Sequence, residues 1–312
     1  MATIVAPLQH SPVEDAEVIR KACEGWGTNE KALISVLAHR YPHQRLEIRK
    51  AYQDRYHEDL IRCLESELRG DFERALYRWI LDPADRDAVL ANVALKNGKV
   101  DYRVIIEVSC TRTPEEFLAV KRAYMARYKH SLEEDVACHT TGDLRKLLVA
   151  LVGVYRYDGD EINAKLAASE AEILHHAIKE NEFNHEEIVR IVSTRSKTQL
   201  LATINRYKDT HDISITKTLA GNRENVLVDS LRAAIRCLTD KGKYFEKVLR
   251  NALNKSGTDE DDLTRVIVTR AEKDLRQIKD LYYKRNSVPV EQAVAKETHG
   301  HYEEFLLALL GN

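Results

Sequence analysis

Apolar residues recur along the chain at intervals of three and four, which is the period of an amphipathic α-helix. In the first part of the chain these positions are Val18, Ala22, Leu33, Val36, Leu37, Leu60, Ile61, Leu64, Phe72, Leu76 and Ile80. No stretch alternates between apolar and polar residues for long enough to predict a β-strand. Helix starts are marked by Ser or Thr with Glu three residues later. These starts are Thr113–Glu116, Ser131–Glu134 and Ser169–Glu172. The pattern predicts an all-α protein.

Two sequence marks recur and divide the chain into repeats. The first is an arginine preceded by His or Thr, at His39-Arg40, Thr111-Arg112, Thr194-Arg195 and Thr269-Arg270. The second is a glycine that we expect to open the last helix of each repeat, at Gly70, Gly142, Gly221 and Gly300. The separations from Arg to Gly are 30, 30, 26 and 30 residues, a register that unrelated helices would not keep. We therefore predict four repeats of about 70 residues, each with room for about five short helices.

The predicted boundaries follow from these marks. They give an N-terminal tail at 1–12, repeat I at 13–82, repeat II at 83–155, a linker at 156–168, repeat III at 169–240 and repeat IV at 241–312. The linker explains why Arg112 and Arg195 lie further apart along the chain than the other neighbouring arginines of the mark. An alternative interpretation is a helical-repeat scaffold for protein partners, although the repeats of such scaffolds are shorter, with two or three helices each.

A glycine-containing loop and a distant glutamate recur at one fixed separation. Thr28 ends the loop at residues 25–28, and Glu67 follows it at the same distance along the chain at which Glu297 follows Thr258. Glycine allows the positive φ with which successive carbonyl oxygens can be aimed at one point. Carbonyl and carboxylate oxygens are the ligands that Ca²⁺ takes in proteins. The pattern therefore predicts a chelating site that is built twice.

Composition and charge restrict the function. The net charge is −2, so no field of the whole molecule recruits nucleic acid, and we predict no nucleic-acid partner. The five cysteines are odd in number and contain no C-x-x-C, which argues against a disulfide framework or a zinc ribbon. No signal-peptide pattern is present. The longest apolar run, residues 147–155, is far shorter than the roughly 20 residues of a membrane-spanning helix. We expect a cytoplasmic protein.

The Gly-X-Gly-Thr loop, the acid at its fixed distance, the four repeats and the Thr-Arg pairs together resemble the annexin family over nearly the whole chain. His39-Arg40 and residues 82–88 and 284–289 are similar to its plant branch. The resemblance implies a curved disc of four five-helix domains that binds calcium on its convex side. It also implies that the protein docks there, peripherally and reversibly, on anionic phospholipid membranes.

The resemblance further implies the calcium ligands, which in annexins are loop carbonyls and one bidentate carboxylate. Carried over to repeat I, they are the carbonyls of Cys23, Gly25 and Gly27 and the side chain of Glu67. Carried over to repeat IV, they are the carbonyls of Leu253, Lys255 and Gly257 and the side chain of Glu297, with Lys255 in place of the first glycine. Because Ca²⁺ takes six to eight oxygens, water and a lipid phosphoryl oxygen are expected to complete each site. We expect weak calcium affinity without lipid and tighter binding with it.

Three loop residues are predicted to contact the membrane. Trp26 at the tip of the first loop suits the headgroup level, where amphipathic aromatic rings collect. Ser256 takes its place in the second loop, and Lys255 can contact a phosphate directly.

Repeats II and III are predicted to lack the site, because His139 and Thr218 stand three residues before the last-helix glycine. We therefore predict two calcium sites among four repeats.

An enzyme is the alternative from another class. His39 is similar to a histidine discussed as a haem ligand in plant annexins, which would support a peroxidase. Cys110 and Cys237 are similar to the cysteines proposed there as a redox pair. Nucleotide hydrolysis is also attributed to the family, but the chain lacks the phosphate-binding G-x-x-x-x-G-K-[ST] motif. F-actin binding through residues 189–191 and self-association on membranes are further partner hypotheses, and the actin motif is too short to be specific.

Overall fold

A computed structural model describes residues 1–24, 27–67, 70–222, 224–254 and 257–312, except for the side chains of residues 65–67. This described part contains twenty α-helices, one 3₁₀ turn and no β-strand. The helices fall into four successive groups of five. The predicted all-α class and the five helices per repeat are therefore confirmed.

The helices of the first two groups have the following bounds. Those of repeat I are α1 (Pro12–Cys23), α2 (Glu30–Leu37), α3 (Pro42–Tyr56), α4 (Leu60–Glu67) and α5 (Asp71–Ile80). Those of repeat II are α6 (Pro83–Lys96), α7 (Tyr102–Thr111), α8 (Pro114–Tyr128), α9 (Leu132–His139) and α10 (Gly142–Gly153).

The third group contains the 3₁₀ turn. Repeat III has α11 (Ala164–Lys179), α12 (Glu186–Thr194), α13 (Lys197–His211), α14 (Ile215–Thr218), the turn at Leu219–Asn222 and α15 (Val226–Thr239). Repeat IV has α16 (Lys241–Leu253), α17 (Glu260–Arg270), α18 (Leu275–Asn286), α19 (Val290–Glu297) and α20 (Gly300–Leu310).

Two of the three predicted helix starts are correct. Thr113 and Glu116 form a capping box in which each side chain accepts a hydrogen bond from the other residue's backbone N–H. Ser131 caps α9 by accepting from the N–H of Glu134. The start predicted at Ser169 is wrong, because α11 begins five residues earlier, at Ala164, after Asn163 as its N-cap. Asparagine is at least as good an N-cap as serine, so the earlier residue starts the helix.

In repeat III the predicted glycine does not open the last helix. Gly221 lies in the 3₁₀ turn, and α15 begins only at Val226. The N-cap of α15 is Asn225, whose side-chain oxygen accepts from the N–H groups of Leu227 and Val228. Asn225 follows Arg195 at the same separation at which the glycines follow their arginines in the other repeats. The position that matches Glu67 is therefore Asn222 and not Thr218, and it still carries no carboxylate.

The arginine of the first mark follows the second helix of its repeat and forms an ion pair with an acid on the first helix. Arg40 donates two hydrogen bonds to Asp15, at 2.7 and 2.8 Å. Arg112 makes the same bidentate pair with Asp87, while Arg195 donates to both oxygens of Glu170, with two of its three bonds on one oxygen. In each case the acid precedes the arginine by the same number of positions, 25. The mark is thus a structural ion pair in repeats I to III.

The chain divides into two compact units. Unit 1 consists of residues 1–86 and 245–312, and unit 2 of residues 87–244. Within unit 1, α5 and α20 pack against each other and both pack against α17, while α2 packs against α20. Within unit 2, α10 packs against α7, α12 and α15. The second and fifth helices of two repeats therefore build the core of each unit. No helix in the described part is both long and apolar enough to cross a membrane.

Candidate functional site

The loop of repeat I is a closed turn between α1 and α2. Cys23 ends α1, and the N–H of Asn29 donates back to the carbonyl of Ala22 at 2.8 Å. Gly27 has φ +92°, a conformation that residues with a Cβ rarely adopt. The side chain of Asn29 then caps α2. The sequence thus closes the loop with one hydrogen bond and one glycine.

The described residues at the two ends of the repeat IV loop have the same features. Leu253 ends α16, and the N–H of Asp259 donates to the carbonyl of Ala252 at 3.0 Å. Gly257 has φ +88°, close to the value at the matching glycine of repeat I. A further bond joins the loop to the distant acid, because the hydroxyl of Thr258 donates to the main-chain carbonyl of Glu297 at 3.3 Å. The fixed separation of loop and acid seen in the sequence is therefore a spatial contact in repeat IV.

The two glutamates occupy the same place in their repeats. Glu67 is the last residue of α4, and Glu297 is the last residue of α19. The side chain of Glu297 is 30% exposed, and its carboxylate oxygen lies 3.6 Å from the ammonium nitrogen of Lys296. The side chain of Glu67 lies outside the described part of the chain. So do four further predicted site residues, which are Gly25, Trp26, Lys255 and Ser256.

The donor set fits a calcium ion held mostly by main-chain oxygens. Among the described residues, no group of three or more His, Cys, Asp or Glu side chains could hold a metal ion. A site made of loop carbonyls and one carboxylate has no such group of side chains, since Ca²⁺ accepts backbone carbonyls as readily as acids. The predicted ligands that the structure describes are Cys23, Leu253 and Glu297, each the last residue of a helix, and the loop glycines Gly27 and Gly257.

An acidic cleft in unit 1 adjoins the end of α19. Its lining combines five acids, two histidines and three other residues: Glu30, Asp71, Glu73, Glu260, Glu297, His299, His301, Phe72, Thr298 and Tyr302. His301 lies near two carboxylates, 3.7 Å from Glu30 and 3.0 Å from Glu304. Like charges concentrated in a cleft attract cations from solution. The cleft therefore favours the approach of a divalent cation to Glu297.

Repeat II keeps the closed loop but not the acid. The N–H of Asp101 donates to the carbonyl of Ala94 at 2.9 Å, as in repeats I and IV. The glycine with positive φ, Gly98 at +79°, stands one position earlier relative to this bond. The acid position at the end of α9 holds His139, whose ring nitrogen Nδ1 contacts the carbonyl of Asp135 at 2.8 Å. This repeat offers no carboxylate at that position.

Repeat III has a different loop. The N–H of Glu182 donates to the carbonyl of Ala177, and Asn181 takes the positive φ of +59°. Five residues separate donor and acceptor here, against seven in the other three loops. Asn222 stands where repeats I and IV have glutamate. Repeat III therefore lacks two features that repeats I and IV share, which are the loop closure across seven residues and the glutamate at the acid position.

The residues of the enzyme hypothesis lie elsewhere. His39 follows α2, and its Nδ1 contacts the carbonyl of Val5 at 3.1 Å. Pro42 begins α3, so His39 and His43 do not share a helix. Cys110 and Cys237 are both buried, on helices α7 and α15 that pack against each other. Burial raises the pKa of the Cys110 thiol, which keeps it protonated near neutral pH.

Comparison with known proteins identifies relatives along the full chain. The sequence model of the family described as Annexin matches residues 14–79, 86–151, 169–231 and 244–309. The chain is 67% identical to Annexin-like protein RJ4 of Fragaria ananassa over 311 residues, which cover 100% of this chain and 99% of the relative. It is 54% identical to Annexin D7 of Arabidopsis thaliana over 301 residues, which cover 96% and 95% of the two chains. Among solved structures, annexin III superposes with a TM-score of 0.93 at 32% identity, covering 100% of this chain and 97% of that one.

Proposed function

The chain belongs to the annexin family, and we propose that it binds anionic phospholipid membranes through two calcium sites, one in repeat I and one in repeat IV. Annexins bind Ca²⁺ and, through it, associate peripherally with anionic phospholipid membranes. What is proposed for this chain is the number and place of the sites. The observation that carries the proposal is the hydrogen bond from Thr258 to Glu297, which joins loop and acid in repeat IV.

The ligands proposed for repeat I are the carbonyls of Cys23, Gly25 and Gly27 and the carboxylate of Glu67. Those proposed for repeat IV are the carbonyls of Leu253, Lys255 and Gly257 and the carboxylate of Glu297. Support comes from the matching loops, since Gly27 and Gly257 have nearly the same φ and both loops close across seven residues. A carboxylate that binds through both oxygens brings the protein ligands of each site to five, below the six to eight that Ca²⁺ takes. A lipid phosphoryl oxygen completes the shell, so calcium and lipid strengthen each other's binding.

The charge balance favours an anionic surface. One carboxylate against a divalent cation leaves local positive charge, which a chain of net charge −2 otherwise lacks. Lys255 adds a cation beside the second site, and its ammonium group can contact a phosphate. Trp26 is proposed to enter the headgroup layer, where amphipathic aromatic rings are favoured. Ser256 takes the tip position in repeat IV.

The test is co-sedimentation with vesicles of phosphatidylserine and phosphatidylcholine across a calcium series. We expect binding in calcium and release by a chelator. The variant with Glu67→Gln and Glu297→Gln together should lose most of this binding, because neither loop keeps its carboxylate ligand. Each single variant should need more calcium for half-maximal binding, since one site remains. A double variant that binds like the wild type would refute the assignment of the two acids.

A matched control is Glu182→Gln, which removes an exposed carboxylate from the loop of repeat III. We expect this variant to bind vesicles with the wild-type calcium dependence. Trp fluorescence supplies a second readout. The chain has two tryptophans, and Trp79 is fully buried in unit 1, so a blue shift on vesicle binding reports Trp26. The shift should vanish in Trp26→Phe, and a wild type that shows no shift on vesicle binding would place Trp26 outside the headgroup layer.

A further inference from the structure

A carboxylate in unit 1 whose side chain is only 10% exposed balances two arginines. Glu272 stands two residues after Arg270, the arginine of the repeat mark. Its oxygens lie 2.6 Å from a nitrogen of Arg45 and 3.5 Å from a nitrogen of Arg86. Arg86 also donates to the carbonyl of Val268 near the end of α17. In unit 1, Arg86 therefore bonds to the end of α17, the second helix of repeat IV, and has the carboxylate of Glu272 beside it.

Unit 2 has a cation at the matching position. Lys197 stands two residues after Arg195, where Glu272 would be expected from the register. Arg156 corresponds to Arg86 of unit 1. It donates to the carbonyls of Val192 and Arg195 at the end of α12, at 2.5 to 3.1 Å. Lys197 donates to the carbonyl of Arg112 at 2.8 Å. The described hydrogen bonds of Arg156 and Lys197 thus all go to main-chain carbonyls and none to a carboxylate.

The position of the two cations is electrostatically unfavourable without an anion. Arg156 is 8% exposed, and burial lowers its pKa. Burial also lowers the pKa of Lys197, and the neighbouring charges of Lys241 and Arg156 lower it further, while the exposed Asp158 opposes this shift without reversing it. Lys197 is moreover the first residue of α13, where the helix dipole disfavours a positive charge. An anion placed between Arg156 and Lys197 would offset each of these costs.

Both cations line a narrow cleft in unit 2. Its other polar lining residues are Ser109, Arg112, Thr113, Lys121, Tyr155 and Asp158. Arg112 and Lys121 have carboxylates of their own, in Asp87 and Glu133. Thr113 accepts from the N–H of Glu116, so its hydroxyl hydrogen remains to donate to a ligand. Asp158 is the one acid in the lining, and it is exposed and therefore screened by solvent.

We propose that this cleft binds a phosphate group, which takes in unit 2 the place that the Glu272 carboxylate has in unit 1. A guanidinium and an ammonium form charge-assisted hydrogen bonds with phosphate oxygens. The narrow cleft selects a small anion, which is inorganic phosphate or the terminal phosphate of a monoester. The residues involved belong to repeats II and III and to the segment 156–168 between them, and binding needs no calcium. The site is therefore independent of the two proposed calcium sites.

The test is thermal unfolding in a chelator, with inorganic phosphate compared against sodium chloride at equal ionic strength. A ligand that binds only the folded state raises the melting temperature. We expect phosphate to raise it by about 1–2 °C over chloride, which corresponds to about 1 kcal/mol for a chain of 312 residues. The variant Lys197→Glu supplies an internal carboxylate like Glu272. It should melt above the wild type in chloride and gain nothing from phosphate.

The control is Lys208→Glu, which makes the same charge change at an exposed position three turns along the same helix. It should respond to phosphate as the wild type does. If Lys197→Glu does not fold, Lys197→Met removes the cation without adding a charge, and its phosphate response should be lost. A wild type that melts alike in phosphate and chloride would overturn the proposal. So would a Lys197 variant that responds as strongly as the wild type.

Two sources can supply the phosphate, and a second arm separates them. Vesicles of phosphatidic acid and phosphatidylcholine are sedimented with the protein in chelator. Sedimentation that is lost in Lys197→Glu and kept in Lys208→Glu assigns the site to a lipid headgroup. A stabilising effect of inorganic phosphate without such sedimentation assigns it to a soluble phosphate.

Discussion

The guanidinium of Arg270 lies over the ring of Phe245, with 4.7 Å between its central carbon and the ring centroid. Phe245 stands at the position where the other three repeats have the acid that pairs with their arginine. Arg270 is fully buried and finds its carboxylate four residues later instead, because Asp274 accepts two hydrogen bonds from it at 2.6 and 2.7 Å. Repeat IV thus replaces an ion pair between two helices by an aromatic contact and a local pair.

Replacing Asp274 by asparagine should destabilise the protein strongly. Arg270 would keep its buried positive charge without a carboxylate, and breaking a buried pair in this way costs about 3–5 kcal/mol. Urea unfolding followed by circular dichroism measures the loss. The control is Asp280→Asn on α18, the helix that begins directly after Asp274, at an exposed position where we expect a change within about 0.5 kcal/mol. Equal midpoints for the two variants would show that Arg270 does not depend on Asp274.

Gly257→Ala should weaken calcium-dependent vesicle binding without unfolding the protein. No atom lies within 4 Å of the added Cβ, so the effect comes from the φ of +88° alone. Holding a non-glycine residue in such a conformation costs about 1–3 kcal/mol, and the loop is expected to relax away from the calcium geometry. The measurement is the calcium concentration for half-maximal sedimentation with anionic vesicles. Gly153→Ala, at the end of α10 with open space around it, is the matched control and should leave this value unchanged.

Thiol labelling tests whether Cys110 is reactive. Burial raises its thiol pKa, and the thiolate is the reactive form. We expect Cys138, which is exposed, to react with an aromatic disulfide reagent within minutes at pH 8, while Cys110 and Cys237 react only after unfolding. Mass spectrometry of the labelled peptides reads out the sites. Fast labelling of Cys110 in the folded protein would support the redox-pair hypothesis instead.

The raised thiol pKa also has a consequence for stability. A group whose pKa is higher in the folded state stabilises the protein below the unfolded pKa, which is about 8.5 for cysteine. Above that pH the unfolded thiol ionises while the folded one does not. The free energy of unfolding should therefore fall between pH 8.5 and 10 by more in the wild type than in Cys110→Ala. Parallel pH curves for the two proteins would contradict this.

The sequence predicted the helices and the repeat register well, because helical period and capping depend on local residue types. The glycine mark places the last helix of repeat III at Gly221, whereas Asn225 caps that helix. The separation from Arg195, which Asn225 shares with the glycines of the other repeats, was the better signal. Three of the arginines are also preceded by an acid at one constant separation, which is a sequence signal for the ion pairs between the first two helices of these repeats.

The cleft around Arg156 and Lys197 could not be predicted from the sequence. Arg156 lies in the predicted linker, where a single basic residue carries no pattern. Its partners are carbonyls at the end of a helix 36 to 39 residues later, and such contacts leave no residue-type signature. Burial of Arg156 and the absence of a carboxylate among its described hydrogen bonds appear only once the helices are packed.

The N-terminal tail should contribute measurably to the stability of unit 1. Thr3 is 3% exposed, its N–H donates to the carbonyl of Ala271 at 2.9 Å, and its hydroxyl donates to the carbonyl of Leu309 at 2.6 Å. Thr3→Val keeps the shape and the N–H bond but leaves the Leu309 carbonyl without the hydroxyl, at a cost of about 1–3 kcal/mol. We expect the melting temperature to fall by at least about 2 °C. Thr210→Val, at an exposed position of α13, is the control and should melt as the wild type does. If Thr3→Val melts with this control, the tail does not stabilise unit 1 through its hydroxyl.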